Sequence, residues 1–325
     1  MTENTPARFD AERGAWILTT YADVSVALRD ERLSLAGAGD NSTAALTTFR
    51  DVVSHALSSQ RLAVWRAAMV QSARRFADAL HDNQPVDLVT AFARPWSIEV
   101  AAIIAGATRP ESTRLAASAH EIFLAAANAT NSDPQPDTHR AIAKLSRGLA
   151  GPDPVIAVQT FVALTQTLPC LLAGAWLAVL SDAELMHRLR TTPNLVPRAV
   201  DELLRITSPS RAVFRCADAD ISLGAAKIAS GERVILMISA ANLDAAQFSD
   251  PTHIDPSRGS MGHLALGMGM HPCLGASLVR AALTCATTAL LDATTCIELA
   301  GQVDWLDGFA IRAPTSLPVV LRRAV

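Results

Sequence analysis

The 325-residue chain has no basic stripe and no run of like charge: 28 Lys and Arg stand against 31 Asp and Glu, a formal net charge of −3. That balance excludes a surface built to hold nucleic acid or anionic lipid, so neither is expected as a partner. Cysteine is scarce and scattered. Cys170, Cys216, Cys273, Cys285 and Cys296 never form a C-x-x-C pair, which argues against a zinc site or a disulfide framework and fits a reducing cytosol. Met1 to Asp10 lacks the apolar region of a secretion signal, so the Asn-x-Thr triplets at Asn41 and Asn128 are expected to stay unglycosylated in the cytoplasm. No internal repeat and no low-complexity linker divides the chain, and one domain over residues 1–325 is the natural expectation.

Half the residues are hydrophobic, enough to bury an extensive core. Val155 to Leu180 carries no charged residue and is long enough to cross a bilayer. It lacks flanking Lys or Arg, holds Thr165, Gln166 and Thr167, and has Pro169 in its middle, so a helix buried inside protein is expected.

Periodicity predicts a mainly α protein with small β-sheets. Ala15 to Thr19 reads as a strand and Tyr21 to Arg29 as a helix, followed by a polar loop from Leu33 to Thr48. Leu62, Trp65, Met69, Ala73, Phe76 and Leu80 recur at helical spacing. Further helices are expected at Ser97 to Ala105, Glu111 to Ala127, Ala141 to Leu149 and Arg198 to Ile206, with a breaker at Thr130 to Thr138. Ser181 and Glu184 suggest a capping box. Ile221 to Ile228 and Arg233 to Ile238 read as strands of one hairpin, a last helix starts after Cys273, and Phe309 to Leu321 has strand character.

The decisive segment is His263 to Arg280, HLALGMGMHPCLGASLVR, which sets Gly267, Gly269 and Gly275 around His271 and Cys273. Three glycines at fixed offsets arise by chance in roughly three windows in ten thousand, before His and Cys are required as well. A thiolate ligand needs backbone N–H groups aimed at its sulfur, and a glycine-rich loop entering a helix N-terminus offers them with a favourable dipole. Glycine also lets the main chain approach a flat macrocycle. The alternative is a buried free cysteine beside a glycine-rich loop.

This segment resembles the heme-binding loop of the cytochrome P450 family, Phe-Gly-x-Gly-x-His-x-Cys-x-Gly, with Leu266 in place of the Phe. The resemblance implies a shortened member of the soluble bacterial class, with heme b (iron protoporphyrin IX) as cofactor and Cys273 as axial ligand to the iron. By the same resemblance His271 and Arg215 bind heme propionates, and Arg50 matches a further propionate arginine, although Leu46 stands where a histidine is common. Glu202 and Arg205, alone an unremarkable i,i+3 pair, match the family's Glu-x-x-Arg lock, and His253 takes the place of its third basic residue. Pocket positions implied by resemblance are Arg211, Ala212, Val213 and Phe214, and Arg312 to Thr315 including Pro314. The alternative for Arg211 is a propionate partner.

The family's central helix carries an acid and a threonine that relay protons. Counting back from Glu202 puts Gln166 and Thr167 there, the catalytic candidates of this chain, with an amide that can orient water but cannot titrate. The competing reading is that both only satisfy buried backbone. Pro169 has no N–H, which deprives the Thr165 carbonyl of its helical partner. Leu33 to Arg50 and Ala141 to Val155 are short for the family, which implies a distal face that is open or is closed by a second subunit, a partner protein or the substrate.

The resemblance implies a monooxygenase of secondary metabolism that acts on a small organic or natural-product molecule. No flavin or iron–sulfur signature lies in the chain, so electrons are expected from an external ferredoxin and ferredoxin reductase. The missing acid and short cover favour the alternative of a peroxide-using, dehydrating, rearranging or coupling heme-thiolate enzyme. A non-catalytic heme-binding partner protein is the third reading.

Overall fold

The computed structural model describes residues 5–35, 59–105, 109–127, 136–149, 154–224, 226–258 and 262–324. After strands β1 (Arg8–Asp10) and β2 (Ala15–Leu18) come helix α1 (Tyr21–Ala27) and strand β3 (Leu33–Ser34). Thr20 caps α1 by accepting from Asp23 N–H. Helix α2 (Ser59–Asp78) precedes strand β4 (Pro85–Asp87), and then follow helices α3 (Arg94–Ala105), α4 (Arg109–Ala127), α5 (Pro136–Gly148), α6 (Pro154–Val162), α7 (Leu168–Leu180), α8 (Ala183–Thr191) and α9 (Val196–Thr207). Strands β5 (Val213–Ala217), β6 (Ile221–Leu223), β7 (Ala226–Ile228) and β8 (Arg233–Leu236) lead to helix α10 (Ile238–Ala241). The long helix α11 (Ala276–Ala293) is followed by β9 (Thr294–Leu299), β10 (Trp305–Asp307), β11 (Arg312–Pro314) and β12 (Pro318–Arg323).

The largest apolar cluster joins α2, α3, α7, α9 and α11, with Trp96, Phe92, Leu172, Leu203 and Ala282 at its centre. Burial of these side chains, worth roughly 1.5–3 kcal/mol for each large one, holds the helices together. The stretch Ala157–Leu180 is apolar enough to cross a membrane by composition, yet 61% of its most apolar 18-residue window is buried inside the protein. A second cluster lies under a five-stranded sheet of order β1-β2-β8-β5-β3.

Two π-turns interrupt the helices, at Val89–Ala93 and Ala163–Thr167. In each, the residue before a proline donates five positions back: Arg94 N–H to the Val89 carbonyl, and Leu168 N–H to that of Ala163. Pro95 and Pro169, which follow, have no N–H to give. The ladder widens where a donor is missing, so the unpartnered carbonyl expected from Pro169 is realised as a π-turn.

Three expectations are corrected. The capping residue of α8 is Asp182, whose side chain accepts from Leu185 N–H, while Ser181 ends α7 and bonds back to the Leu177 carbonyl. The hairpin is confined to β6 and β7, and β8 runs parallel to β2 and antiparallel to β5. The single long apolar helix is α6 and α7 joined through the second π-turn.

Candidate functional site

The site begins in α9, whose Glu202 and Arg205 sides are both almost wholly buried. Arg205 Nε donates to Glu202 Oε1 at 2.7 Å and Nη2 to Oε2 at 2.9 Å. The remaining N–H groups reach the carbonyls of Asn242 (2.8 Å), Pro251 (2.7 Å) and His253 (3.2 Å), so all five guanidinium protons have an acceptor. Burial alone would raise the Glu202 pKa, but its hydrogen bonds to Arg205, Asp255 N–H and Arg258 bring it below the usual carboxylate value. The second basic side chain on Glu202 is Arg258, with Nε at 3.1 Å. This corrects the expectation for His253, which enters only through its main-chain carbonyl because the turn after Pro251 points its backbone at Arg205.

Asn242 carries this lock to the sulfur loop. Fully buried, it gives its carbonyl to Arg205, and its side-chain Oδ1 accepts from Leu264 N–H at 2.6 Å. The loop then turns: Gly267 N–H donates to the Leu264 carbonyl at 2.9 Å, and Cys273 N–H to the Leu266 carbonyl at 2.7 Å. Gly267 and Gly269 have φ of +67° and +69°, a region L side chains rarely adopt. At Gly269 a Cβ would also stand 2.2 Å from the Leu28 carbonyl oxygen, so glycine lets the loop lie on the end of α1. Tyr21 adds a hydroxyl bond to the Gly262 carbonyl at 2.6 Å. Asp201 ties the two ends of the segment together, accepting from Arg280 Nε of α11 at 2.7 Å and facing His263 Nε2 at 3.3 Å.

Of the five cysteines only Cys273 is exposed. The loop still crowds its sulfur, and desolvation raises the thiol pKa against the Gly275 N–H and the Arg280 charge, which both lower it. Gly275 caps α11 and leaves 3.9 Å between the sulfur and the place a Cβ would occupy. By contrast Cys170 is pushed up to about 12 by burial, an inert thiol. Leu266 packs against the main helical core, and His271 is half-buried two residues before Cys273.

Arg215 points from β5 into the interior at 5% exposure, and its hydrogen bond within the described residues is to the neighbouring Phe214 carbonyl. With no carboxylate paired to it among the described residues, burial pulls its pKa down to about 10. Such an uncompensated buried cation costs several kcal/mol unless an anion joins it. Val213 of the same strand shares an apolar cluster with Leu264 and Met268 of the sulfur loop. An exposed thiol and a buried guanidinium without a carboxylate among the described residues, on packed neighbours, fit a flat cofactor that brings a metal and carboxylates.

On the other side of the core stands the π-turn of the distal helix. Thr165 back-bonds to the Phe161 carbonyl at 2.8 Å. Gln166 Oε1 lies 2.9 Å from His120 Nδ1 of α4, and its Nε2 donates to the Ala116 carbonyl at 3.2 Å. Gln166 therefore clamps the helix at the π-turn to α4, as the backbone-satisfying reading of this residue expects. Thr167, half-buried, has no side-chain hydrogen bond within the described residues.

The expected pocket residues divide. Ala212 and Pro314 are buried, whereas Phe214, one step from Val213 and Arg215, lies on the opposite face of β5 against Phe309 at 6.3 Å. Arg211 ion-pairs with Asp307 at 2.9 Å, with both side chains partly exposed. Arg50 and the segment around it lie outside the described residues, as do residues 150–153 of the expected short cover. Arg258, Asn242, Asp201 and His120 were not evident from sequence, since each acquires its role from a partner distant in the chain.

A family model described as Cytochrome P450 matches residues 178–296. The chain is 29% identical to nocardicin C N-oxygenase of Nocardia uniformis subsp. tsuyamanensis over 358 aligned residues, covering 94% of this chain and 89% of that protein. It is 30% identical to cytochrome P450-SU2 of Streptomyces griseolus, covering 94% and 87%. Its fold superimposes on the cytochrome P450 enzyme CYP109B1 from Bacillus subtilis with a TM-score of 0.84 at 22% identity, over 98% of this chain and 96% of that one. With the thiol loop, the Glu202–Arg205 lock and a 30% identical relative aligned across nearly its whole length, the chain belongs to the cytochrome P450 family.

Proposed function

We propose that Cys273 ligates the iron of heme b, and that residues 1–325 form one cytoplasmic heme-thiolate domain that oxygenates a small natural-product-like molecule. Electrons come from an external ferredoxin and its reductase. The family is oxidoreductase and binds heme b; bound heme supplies oxygen redox chemistry, and a thiolate ligand pushes electron density toward the iron. The observation that carries the reading is Arg215, a buried cation with no carboxylate partner among the described residues, on the strand packed beside the sulfur loop.

Each residue has a bounded task. Cys273 presents sulfur with the Gly275 N–H aimed at it, and Gly267 and Gly269 give the loop its close turns, with Leu266 beside the sulfur. Arg215 neutralises one propionate, with His271 and Arg50 as further propionate partners. Glu202, Arg205 and Arg258 hold the loop through Asn242. Thr167 offers a hydroxyl for holding or passing a proton at Oγ1. Ala212, Val213 and Pro314 form the apolar wall against the substrate, and a second subunit or partner protein completes the distal cover.

The Gln166 clamp favours a second reading, a peroxide-using, dehydrating, rearranging or coupling enzyme, because the side chain at the acid's place is committed to His120 and Ala116. A carbon monoxide difference spectrum of the reduced protein tests the ligand: the thiolate band is expected in wild type and absent in Cys273→Ala. Turnover with a reduced carrier and oxygen, compared with peroxide, separates the two chemistries. Wild-type protein that takes up no heme overturns both.

A further inference from the structure

The β10–β11 hairpin holds a charge cluster that the heme site does not use. Asp307 Oδ1 accepts from Arg211 Nη1 at 2.9 Å and lies 3.3 Å from Arg312 Nε. Two guanidinium groups thus share one carboxylate oxygen, an excess of one positive charge. Asp304, the other acid of the hairpin, ion-pairs with neither arginine among the described residues; its main-chain carbonyl takes Thr315 N–H. Arg13, over the nearby Phe309 ring at 4.8 Å, is matched by Asp10.

The cluster is positioned by the fold. Asp307 and Arg312 face each other across the hairpin, and Arg211 arrives from another part of the chain through its N–H to the Ala310 carbonyl and the return bond from Arg312 N–H to Pro209. The Arg312 guanidinium carbon lies over Trp305, 3.8 Å from the ring centroid, a contact that restrains the side chain beside Asp307. Both arginines remain partly exposed, at 34% and 44% of their side chains. A guanidinium seated on an aromatic ring beside a second guanidinium suits the two oxygens of a carboxylate.

The cluster also lies within reach of the heme-site strand. Arg211 is four residues before Arg215, at most about 14 Å of extended chain, and β11 packs against α7, which follows Thr167 directly. Ala310 N–H bonds to the Ala127 carbonyl at the end of α4, so the hairpin forms a lip between the distal helices and β5.

We propose that Arg211 and Arg312 form a carboxylate-binding subsite at this lip, selecting an anionic organic substrate whose acid group is held while the rest extends toward the heme. Asp307 occupies the subsite as an internal competitor until the ligand's carboxylate displaces it. This inference rests on the heme-thiolate reading above.

The test uses heme-loaded protein and optical titration with ω-phenyl carboxylic acids of four to ten carbons, each paired with its primary amide. The acids are expected to bind at least about tenfold more tightly than the amides in wild type, with the preference weakened by salt. Arg211→Gln and Arg312→Gln are expected to reduce that preference several-fold with imidazole binding to the heme unchanged. Asp307→Asn is expected to tighten acid binding, whereas a hairpin ion pair of structural purpose only would leave it equal or weaker. Equal binding of acids and amides by loaded protein that still binds imidazole overturns this inference alone. Failure to load heme overturns it together with the reading on which it rests.

Discussion

Asn242 accepts from Leu264 N–H at 2.6 Å and so joins the buried ion pair of α9 to the start of the sulfur loop. The same residue satisfies Arg205 with its main chain and the loop with its side chain. The heme side of the molecule is thereby tied to the helical core through one amide.

Replacing Asn242 by Ala leaves Leu264 N–H buried without an acceptor, which costs about 1–3 kcal/mol. Urea unfolding of the loaded protein is expected to show that loss, with faster transfer of heme to apomyoglobin. Unchanged heme transfer would refute the link from α9 to the loop.

Truncating one member of the lock separates the real partner from the expected one. Arg258→Gln removes a cation from the buried Glu202 and is expected to lower stability by about 1–3 kcal/mol, whereas His253→Gln, which keeps the carbonyl that Arg205 uses, stays within about 0.5 kcal/mol. Thermal unfolding of the two variants side by side decides between them.

Gly269→Ala combines a left-handed φ, worth about 1–3 kcal/mol of strain, with a Cβ driven into the Leu28 carbonyl. Gly275→Ala meets only the Cys273 sulfur, at 3.9 Å, and keeps an ordinary φ. Heme content after purification is expected to collapse in the first variant and to fall far less in the second.

Burial holds His263 below its ordinary pKa of 6.5, with the carboxylates of Asp201 and Glu202 opposing and Arg280 assisting. The unfolded chain therefore binds the proton before the folded one does. Stability from this group is fully present above pH 6.5 and declines as pH falls through the folded value. His263→Gln is expected to flatten the stability curve on the acid side of pH 6.5, measured by urea midpoints; an unaltered slope would refute the assignment.

Gln166→Glu keeps the shape of the clamp but loses the N–H that the Ala116 carbonyl accepts, at an expected cost of about 1–2 kcal/mol. Thr167→Ala breaks no side-chain hydrogen bond among the described residues and is expected to leave unfolding unchanged while altering turnover or product distribution. A Thr167→Ala variant as destabilised as Gln166→Glu would mean that both residues are only structural.

Local signals made the helices and the thiol loop legible in the sequence. Apolar spacing located α2, α4 and α9, and the spacing of three glycines, His271 and Cys273 drew attention to the loop before any fold was known. Glu202 and Arg205 were legible because they are one helical turn apart. Arg258 and Asn242 were not, since their partners lie 56 and 37 residues away and no periodicity connects them. The parallel partnership of β8 with β2 is non-local in the same way. Gln166 was placed by an ungapped count back from Glu202, which fixes a position in the chain but not the direction of its side chain; the π-turn at Ala163–Thr167 changes that direction, since each residue inserted in a helix turns the side chains that follow by roughly 100°.

The contact of Gly269 with Leu28 also bears on the order of events at the ribosome. Domains are made from the N-terminus onward, and Tyr21 and Gly262, which bond across this junction, are 241 residues apart. The seat for the sulfur loop is therefore synthesised early and waits, while the loop itself emerges among the last segments. Cofactor capture, on this geometry, follows synthesis of most of the described chain, and a nascent protein halted before residue 263 would lack both the sulfur loop and helix α11, which closes the helical core.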